Sequence, residues 1–276
     1  MTATHTTPAT AVLDFLADRD LVVLSGAGVS TDSGIPDYRG PGAPVRRPMT
    51  FQEFVAGPLA QQRYWARSHL GWARMGTAIP NEGHRALARL DPALLITQNV
   101  DGLHEAAGSR RIVALHGRIA DVMCLSCRRT TSRAALQVRL DELNEGWMSR
   151  HGQAAMRPDG DVDLDATADF VVAHCDCGGV LKPGVVFFGE NVPPDRVARC
   201  YEAVDALGDN GALLVAGSSL TVMSGLRFVK RAAKAGTPVV IVNRGTTRGD
   251  DLATHKLDLG TSEFLLDLDQ SRRTKM

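Results

Sequence analysis

The sequence lacks the features that mark membrane proteins and nucleic-acid binders. No apolar run approaches the roughly 20 residues that a transmembrane helix needs. The 276 residues include 31 lysines and arginines and 31 aspartates and glutamates, so the chain lacks the basic excess of a typical nucleic-acid-binding protein. We therefore expect neither a nucleic acid nor a membrane as a partner.

Cysteine is also scarce, and its spacing excludes a disulfide framework. Four of the five cysteines form two close pairs, Cys124-x-x-Cys127 and Cys175-x-Cys177. The first ten residues contain no lysine or arginine and do not resemble a secretory signal or a mitochondrial presequence. In a chain without an export signal, paired cysteines indicate a metal site and not disulfides. A cytoplasmic location is expected.

Strand-sized apolar runs recur along the chain, and each is followed by a turn and then a helical pattern. The runs cover residues 21–24, 94–97, 212–216 and 238–242. Because they are continuous and not alternating, they predict strands that are covered on both faces. The expected fold class is α/β, with a Rossmann-like parallel sheet and helices on both faces.

Two segments interrupt this pattern and predict smaller modules. Residues 41–83 are rich in proline, arginine and tryptophan and predict a helical insertion, whereas residues 119–183 contain the cysteine pairs and predict a zinc-binding module. The Rossmann-like domain then comprises residues 1–40, 84–118 and 184–276.

Glycine and polar residues at strand ends predict a dinucleotide site. Gly26-Ala27-Gly28 follows the first strand and is half of a fingerprint in which the pyrophosphate lies on the next helix N-terminus. Thr31 replaces the third glycine, and the usual acidic ribose partner is absent, so on this turn alone an ordinary α/β turn explains the residues equally well. Asn243 ends a later strand, where it would bind ribose hydroxyls or simply form a turn.

Several blocks, in order along nearly the whole chain, closely resemble the signature sequences of the sirtuin family. They are Gly26-Ala27-Gly28-Val29-Ser30, Gly34-Ile35-Pro36-Asp37-Tyr38-Arg39, Thr97-Gln98-Asn99-Val100-Asp101-Gly102-Leu103-His104, Leu115-His116-Gly117, Val185-Val186-Phe187-Phe188-Gly189-Glu190, Gly217-Ser218-Ser219 and Asn243, together with the cysteine pairs. The form of the second block and the long segment between the cysteine pairs look most like class II sirtuins.

The resemblance implies an activity and a substrate. It implies an NAD-dependent protein-lysine deacylase, acting on acetyl or longer acyl groups of protein substrates. The implied products are nicotinamide, O-acyl-ADP-ribose and free lysine. It also implies that the segment 185–190 pairs with the backbone of the acyl-lysine peptide, although its apolar residues fit an ordinary core strand as well.

The resemblance also assigns site residues. His116 would be the general base, although a histidine at a strand end is by itself more often structural. Asn99 and Ser30 would order the ribose and a water, and Ile35 and Asp101 would hold the nicotinamide amide. The full set of predicted cofactor-binding residues is Gly26, Ala27, Gly28, Ser30, Thr31, Ile35, Pro36, Asp37, Tyr38, Arg39, Gln98, Asn99, Asp101, Gly217, Ser218, Ser219, Asn243, Arg244, Gly245 and Thr261.

Four thiolates are expected to hold a structural zinc. The predicted ligands are Cys124, Cys127, Cys175 and Cys177. Four protein ligands leave no open position for catalysis at the metal. Because the family usually has Cys-x-x-Cys-Gly-Gly at the second pair, His174 is the alternative to Cys175. The fifth cysteine, Cys200, falls in a helical pattern and is interpreted as a packed thiol.

Other interpretations remain at this point. Tyr64-x-x-Arg67 superficially resembles a clamp for acidic acyl groups, but we interpret it as an exposed helix face. The glycine turn also fits an NAD-dependent dehydrogenase, and the cysteines also fit a zinc-ribbon module without catalysis. Protein ADP-ribosyl transfer at the same NAD site is the alternative nearest to deacylation. The sequence leaves the oligomeric state open, with a monomer as one option.

Overall fold

A six-stranded parallel sheet forms the centre of the larger part of the fold. The computed structural model describes residues 8–37, 48–151 and 167–275. The strands lie in the order β3-β2-β1-β7-β8-β9, and every neighbouring pair is parallel. Their bounds are Asp20–Ser25 (β1), Leu94–Thr97 (β2), Ile112–Ala114 (β3), Gly211–Ala216 (β7), Val239–Val242 (β8) and His255–Leu257 (β9). The predicted parallel α/β fold is confirmed.

The apolar runs form strands because both of their faces are buried. Along β1, Val22 and Leu24 belong to one core cluster, and Leu21 and Val23 belong to the other. All four side chains are at most 2% exposed. A strand with a solvated face would alternate apolar and polar residues. The continuous pattern therefore reflects helices packed on both faces of the sheet.

In the part of the chain that the structure describes, five helices cover the two faces. They are α1 (Pro8–Ala17), α4 (Glu82–Leu90) and α10 (Thr261–Lys275) on one face, and α8 (Pro194–Asp205) and α9 (Met223–Lys234) on the other. The side chain of Asn81 caps α4 by accepting the backbone N–H of His84, and a proline stands in the first turn of α8. A further short helix, α5 (Leu103–Ala106), follows β2. In the described part of the chain, no helix has both the length and the apolar character that crossing a membrane requires.

A second, three-stranded antiparallel sheet builds the smaller part of the fold. Its strands are β4 (Gly117–Cys124), β5 (Thr130–Ser132) and β6 (Leu181–Val185), in the order β5-β4-β6. The helices α2 (Phe51–Val55), α3 (Pro58–Met75), α6 (Arg133–Leu143) and α7 (Trp147–His151) accompany it. They share one apolar cluster that includes Trp65, Trp147 and Phe170. The module boundaries proposed from the sequence stay a prediction.

The chain passes between the two sheets at His116. Strand β3 ends at Ala114 and strand β4 begins at Gly117. Gly117 has φ +80°, and a Cβ atom there would lie 2.0 Å from the carbonyl oxygen of Gly184 on β6. Only glycine fits so close an approach of two backbones. The backbone N–H of Val186 then donates to the carbonyl oxygen of His116 at 2.7 Å, which fixes this residue at the junction.

A second close approach joins the ends of β1 and β7. The backbone N–H of Gly28 donates to the carbonyl oxygen of Gly217 at 2.8 Å. A Cβ atom on Gly28 would lie 2.8 Å from the Cα atom of Gly217, which is a backbone atom and cannot rotate away. The two loops therefore fit against each other only because neither carries a side chain.

We expect Gly28→Ala to lower the free energy of unfolding by about 1–3 kcal/mol, because the added methyl group must push two backbones apart. Urea unfolding followed by circular dichroism measures the change. The matched control is Gly57→Ala, because a Cβ atom at Gly57 meets no atom within 4 Å. Equal unfolding midpoints for the two variants would contradict the packing described here.

Candidate functional site

A cavity lies where the carboxyl ends of β1, β2, β7 and β8 meet strand β6. Its volume is about 420 Å³. Ligands of open α/β sheets bind at this edge. Most of the residues predicted from the sequence line it. These are Gly26, Ala27, Gly28, Ser30, Ile35, Asp37, Gln98, Asn99, Asp101, His116, Gly217, Ser218, Ser219, Asn243, Arg244 and Gly245.

Five predicted residues do not line this cavity or cannot be placed. Tyr38 and Arg39 lie outside the described residues. Thr31, Pro36 and Thr261 do not belong to the lining set. Thr261 is buried at the start of α10, and its hydroxyl donates to the carbonyl oxygen of Gly28 at 3.0 Å. Its position supports the glycine turn from behind.

The glycine turn is followed by 3-10 turns, where the dinucleotide fingerprint predicts an α-helix. The first covers Ala27–Val29 and the second Thr31–Ser33. In an α-helix the carbonyl oxygen of Gly28 would accept a backbone N–H four residues later. Here it accepts the hydroxyl groups of Thr31 and Thr261 at 3.1 and 3.0 Å. The prediction that an α-helix begins directly after this turn is therefore wrong.

His116 is held at both ring nitrogens. The carbonyl oxygen of Gln98 lies 2.9 Å from Nδ1, and the hydroxyl oxygen of Ser224 lies 2.8 Å from Nε2. Burial lowers the pKa of His116, the Gln98 carbonyl opposes this change, and the positive charge of Arg196 adds to it. The imidazole is therefore neutral at pH 7 and can accept a proton.

A chain of hydrogen bonds surrounds Ser30 at one end of the cavity. The Ser30 hydroxyl donates to the carboxylate of Asp101 at 2.7 Å and accepts an N–H from the side-chain amide of Asn99 at 3.0 Å. The same amide also donates to the carbonyl oxygen of Gly26 at 3.1 Å. Burial raises the pKa of Asp101, while the hydrogen bonds from the Leu103 backbone N–H and from Ser30 oppose the rise. The cavity thus contains a carboxyl group with polar neighbours on two sides.

Two buried histidines lie behind this chain of hydrogen bonds. His84 and His104 pack with ring centroids 4.7 Å apart, and Nε2 of His104 lies 2.8 Å from the hydroxyl oxygen of Ser25. Nδ1 of His104 is buried and has no hydrogen-bond partner among the residues that the structure describes. Desolvation lowers the pKa of His84 to about 4 and that of His104 to about 3. Both rings are therefore neutral in the native protein.

Gln98 and Asn243 line the cavity and also form hydrogen bonds with neighbouring residues of the protein. The Ser218 hydroxyl donates to Oε1 of Gln98 at 2.6 Å. The side-chain amide of Asn243 donates to the carbonyl oxygen of Arg244 at 2.8 Å, as in a turn, although Asn243 also lines the cavity. The two interpretations of Asn243 from the sequence are thus compatible.

Aromatic side chains line the other end of the cavity. Tyr64 packs edge to face on Phe187 and Phe54, with centroids 5.2 and 5.4 Å away. Tyr64 is 8% exposed and lines the cavity, so the interpretation of its segment as an exposed helix face is wrong for this residue. The helical pattern of α3 contains apolar residues on more than one face, because this helix contacts several elements.

The segment after β6 is held by a buried ion pair. The ammonium group of Lys182 lies 3.1 Å from a carboxylate oxygen of Glu190, and Lys182 is 1% exposed. The same carboxylate accepts the backbone N–H of Phe187 at 2.9 Å. Phe188 then pairs with Thr50 through an isolated β-bridge and stays largely exposed. The chain beside the cavity is therefore only partly paired, and it turns at Gly189, where the Glu190 N–H donates to the carbonyl oxygen of Phe187.

The four predicted cysteine ligands lie together at one end of β4 and β6. The sulfur atoms of Cys124, Cys127, Cys175 and Cys177 all lie within 4.8 Å of one another, an arrangement that could hold a metal ion. His174 is exposed and is not part of this group. The fifth cysteine, Cys200, is fully buried in the core of the larger sheet, as predicted.

Sequence reasoning missed several residues around the cavity. Ser224 contacts His116, but the two residues are 108 positions apart in the sequence. No local sequence pattern therefore indicates this contact. Arg196 acts on the same ring through its charge. His84 follows Asn81 by three residues, the spacing of a helix N-cap and the residue that it caps. This spacing predicts that His84 lies in the first turn of a helix, but it does not predict the contact of His84 with Ser30.

The chain is similar in sequence to a known protein family and to named bacterial proteins. A sequence profile of the Sir2 family matches residues 26–224. A protein of Mycobacterium avium named NAD-dependent protein deacetylase 1 is 55% identical over 258 residues, which cover 91% of this chain and 90% of that protein. A protein of Streptomyces coelicolor with the same name is 55% identical over 263 residues, covering 92% and 86%.

Solved structures give the same result. A structure described as "Sir2-p53 peptide-NAD+" superimposes with a TM-score of 0.76 at 30% sequence identity, and the match covers 96% of this chain and 98% of that chain. Another, described as "The Structural basis for Sirtuin Substrate affinity", superimposes with a TM-score of 0.74 at 28% identity, covering 94% and 96%.

Because His84 and His104 are buried in their neutral forms, we expect the protein to lose stability in mild acid. The native pKa of His104, about 3, is below the value of about 6.5 in an unfolded chain, so below pH 6.5 the unfolded state binds a proton that the native state does not. Each such histidine lowers the free energy of unfolding by up to about 1.4 kcal/mol per pH unit until its native pKa is reached.

We expect the fall in stability between pH 7 and pH 5 to be smaller in His104→Gln than in the wild-type protein. Urea unfolding at a series of pH values measures both slopes. Because the slopes and not the absolute stabilities are compared, a variant that is less stable overall is still informative. Identical slopes would show that His104 is not held neutral.

Proposed function

This chain belongs to the Sir2 family, and we propose that it acts as an NAD-dependent protein-lysine deacylase. The reaction consumes NAD and an acylated lysine of a protein and yields nicotinamide, O-acyl-ADP-ribose and free lysine. The observation that carries the proposal is the position of a neutral, doubly anchored His116 in a cavity at the carboxyl ends of the parallel strands.

The glycine turns are suited to the dinucleotide. Gly26, Gly28 and Gly217 line the cavity without side chains, so a pyrophosphate can approach their backbones closely. Asn243 and Gln98 present amide groups at the same edge, which suit ribose hydroxyls as hydrogen-bond partners. We assign these residues to NAD binding.

The polar chain around Ser30 suits the nicotinamide end. Asp101 offers a carboxylate oxygen as an acceptor for an amide N–H, and the buried side chain of Ile35 offers an apolar wall. Asn99 is fixed by Gly26 and Ser30, so its amide has a defined orientation in the cavity. We propose that Ile35 and Asp101 hold the nicotinamide amide and that Asn99 orients the ribose.

His116 is the group in this cavity that is suited to take a proton near neutral pH. NAD supplies a glycosidic carbon that the acyl oxygen attacks as nicotinamide leaves. We propose that neutral His116 then removes a proton from a ribose hydroxyl, which allows that oxygen to attack the acyl carbon. The lowered pKa keeps the imidazole in its basic form over the whole physiological range.

The acylated lysine is expected to enter at the aromatic end. Tyr64 and Phe187 line the cavity there and form an apolar wall suited to an acyl chain. The segment 185–190 reaches His116 directly, because the Val186 N–H donates to the His116 carbonyl oxygen. We propose that this segment guides the peptide backbone of the protein substrate.

The cysteine group is proposed to hold a structural zinc. Four cysteine sulfurs match the ligand set of closed tetrahedral zinc sites, which supply stability and no reactive water. Cys124 ends β4 and the other three cysteines lie in the loops beside β4 and β6, in a sheet of three strands among the described residues. A metal ion bound by Cys124 and Cys127 on one side and by Cys175 and Cys177 on the other would cross-link the chain segments next to β4 and β6.

We expect His116→Ala to lose deacylation by about 100-fold or more while NAD binding changes by no more than a few-fold, because only the proton acceptor is removed. Mass spectrometry of the products from NAD and a panel of acyl-lysine peptides measures the first, and calorimetric titration measures the second. The matched control is His255→Ala on β9, outside the cavity.

The products also separate the alternatives. Free lysine peptide together with O-acyl-ADP-ribose supports deacylation, whereas ADP-ribose attached to protein would support ADP-ribosyl transfer instead. If wild-type protein released no nicotinamide with any acyl-lysine peptide, the proposed function would be wrong. Unchanged turnover by His116→Ala would remove this residue from the role of base.

We expect Cys127→Ser to abolish the binding of one zinc equivalent and to lower the stability of the smaller sheet, because one of four thiolates is lost. Metal analysis of purified protein, together with thermal unfolding, measures both effects. Cys200→Ala is the control for cysteine loss and should keep its zinc, since this thiol lies on α8 and packs in the core against the larger sheet. A full zinc equivalent in Cys127→Ser would contradict the assignment.

A further inference from the structure

The proton arrangement on His116 follows from its two neighbours. A carbonyl oxygen only accepts hydrogen bonds, and the carbonyl oxygen of Gln98 lies 2.9 Å from Nδ1. Nδ1 must therefore carry the proton of the neutral ring, and the lone pair lies on Nε2. The hydroxyl of Ser224, 2.8 Å from Nε2, must then donate its proton to that lone pair.

Ser224 is itself held firmly. It is the second residue of α9 and is 8% exposed. The next residue, Gly225, packs so closely that a Cβ atom there would lie 2.8 Å from the side-chain nitrogen of Gln98. The first turn of α9 therefore contacts Gln98 and His116 together. The two partners of the imidazole are fixed relative to each other.

The surroundings of the ring favour its neutral form. Among the described residues, the charged group that acts on the imidazole is Arg196 of α8, which opposes protonation. The N-terminal end of α9 carries the positive end of the helix dipole and lies on the same side as Ser224. Strand β6 contributes the backbone of Val186, which does not titrate.

We propose that Ser224 is a positioning residue for the proton acceptor of the reaction: the Gln98 carbonyl oxygen sets the Nδ1–H tautomer of His116, and the Ser224 hydroxyl, at the start of α9, donates to the Nε2 lone pair and holds the neutral ring in one orientation. This inference rests on the proposed function, since it assumes that His116 is the base.

The test begins with the protein in the absence of NAD. Long-range nitrogen–proton correlation spectra of histidine-labelled protein report which ring nitrogen carries the proton and follow the pKa of each ring. The signals of His116 are assigned by their loss in His116→Ala. We expect the wild-type protein to contain the Nδ1–H tautomer at pH 7.5.

In Ser224→Ala, the hydrogen bond that stabilises the neutral ring is gone. We expect the pKa of His116 to rise by about half a unit, while the Nδ1–H tautomer is retained because the Gln98 carbonyl oxygen still accepts from Nδ1. Ser224→Thr, which keeps a hydroxyl at this position, should restore the wild-type pKa. Ser149→Ala, an exposed serine on α7, serves as the control for serine loss and should titrate as the wild type does.

Kinetics provide a second readout. In Ser224→Ala we expect kcat for deacylation to fall by about threefold to tenfold, while KM for NAD stays within about twofold. The acid limb of the rate profile should move to higher pH by the same shift as the pKa. Ser224→Thr should recover most of the loss in kcat.

An unchanged pKa of His116 in Ser224→Ala would overturn the proposal, and so would the Nε2–H tautomer in the wild-type protein. A loss of activity that follows only a lower unfolding temperature, with the ring titrating as before, would overturn it as well. The spectra do not depend on turnover. If the wild-type protein proved inactive as a deacylase, the titration data would still decide whether Ser224 stabilises the neutral ring of His116.

Discussion

The close crossing of two backbones at Gly117 and Gly184 is the constraint on which the site depends. The chain leaves the parallel sheet after β3, enters the antiparallel sheet at Gly117 and returns past the same point through β6. Because no side chain fits between these strands, the two sheets meet there at backbone distance. His116 is the residue just before this crossing, and its carbonyl oxygen is fixed by the Val186 N–H. The same contact therefore positions both His116 and the segment after β6 at the cavity.

Burial disfavours the charged forms of several titratable groups in and behind the site. His116, His84 and His104 all have lowered pKa values because burial disfavours their charged forms, and burial raises the pKa of Asp101. Water-poor surroundings of this kind strengthen hydrogen bonds to a bound ligand. They are also expected to lower the stability of the protein in acid, because the unfolded chain protonates His104 at a pH at which the native ring is still neutral. The polarity of the cavity and this expected sensitivity to acid have the same cause.

Much of the fold could be predicted from the sequence, because four continuous apolar runs have the length and pattern of strands buried on both faces. Strands β3 and β9 have three residues each, too few for a pattern to emerge. The residues of the glycine turn and the strand ends were also predictable, since the topology of a parallel sheet brings its carboxyl ends to one edge. Tyr64 was misjudged because a helical pattern does not say what packs against each face. Ser224 could not be predicted, since its contact joins residues 108 positions apart.

The cavity is built from loops that follow four strands distributed over most of the chain. Neighbouring strands β1 and β7 pair directly although about 190 residues separate them, as the register of Asp20 with Gly211 shows. Parallel pairing over such separations is slow, since the loop-closure entropy is lost before the contacts form. The residues that line the cavity run from Gly26 to Thr246, so no short fragment of the chain contains all of its walls. Recovery of NAD binding during refolding would therefore report the pairing of the distant central strands and not only the formation of helices.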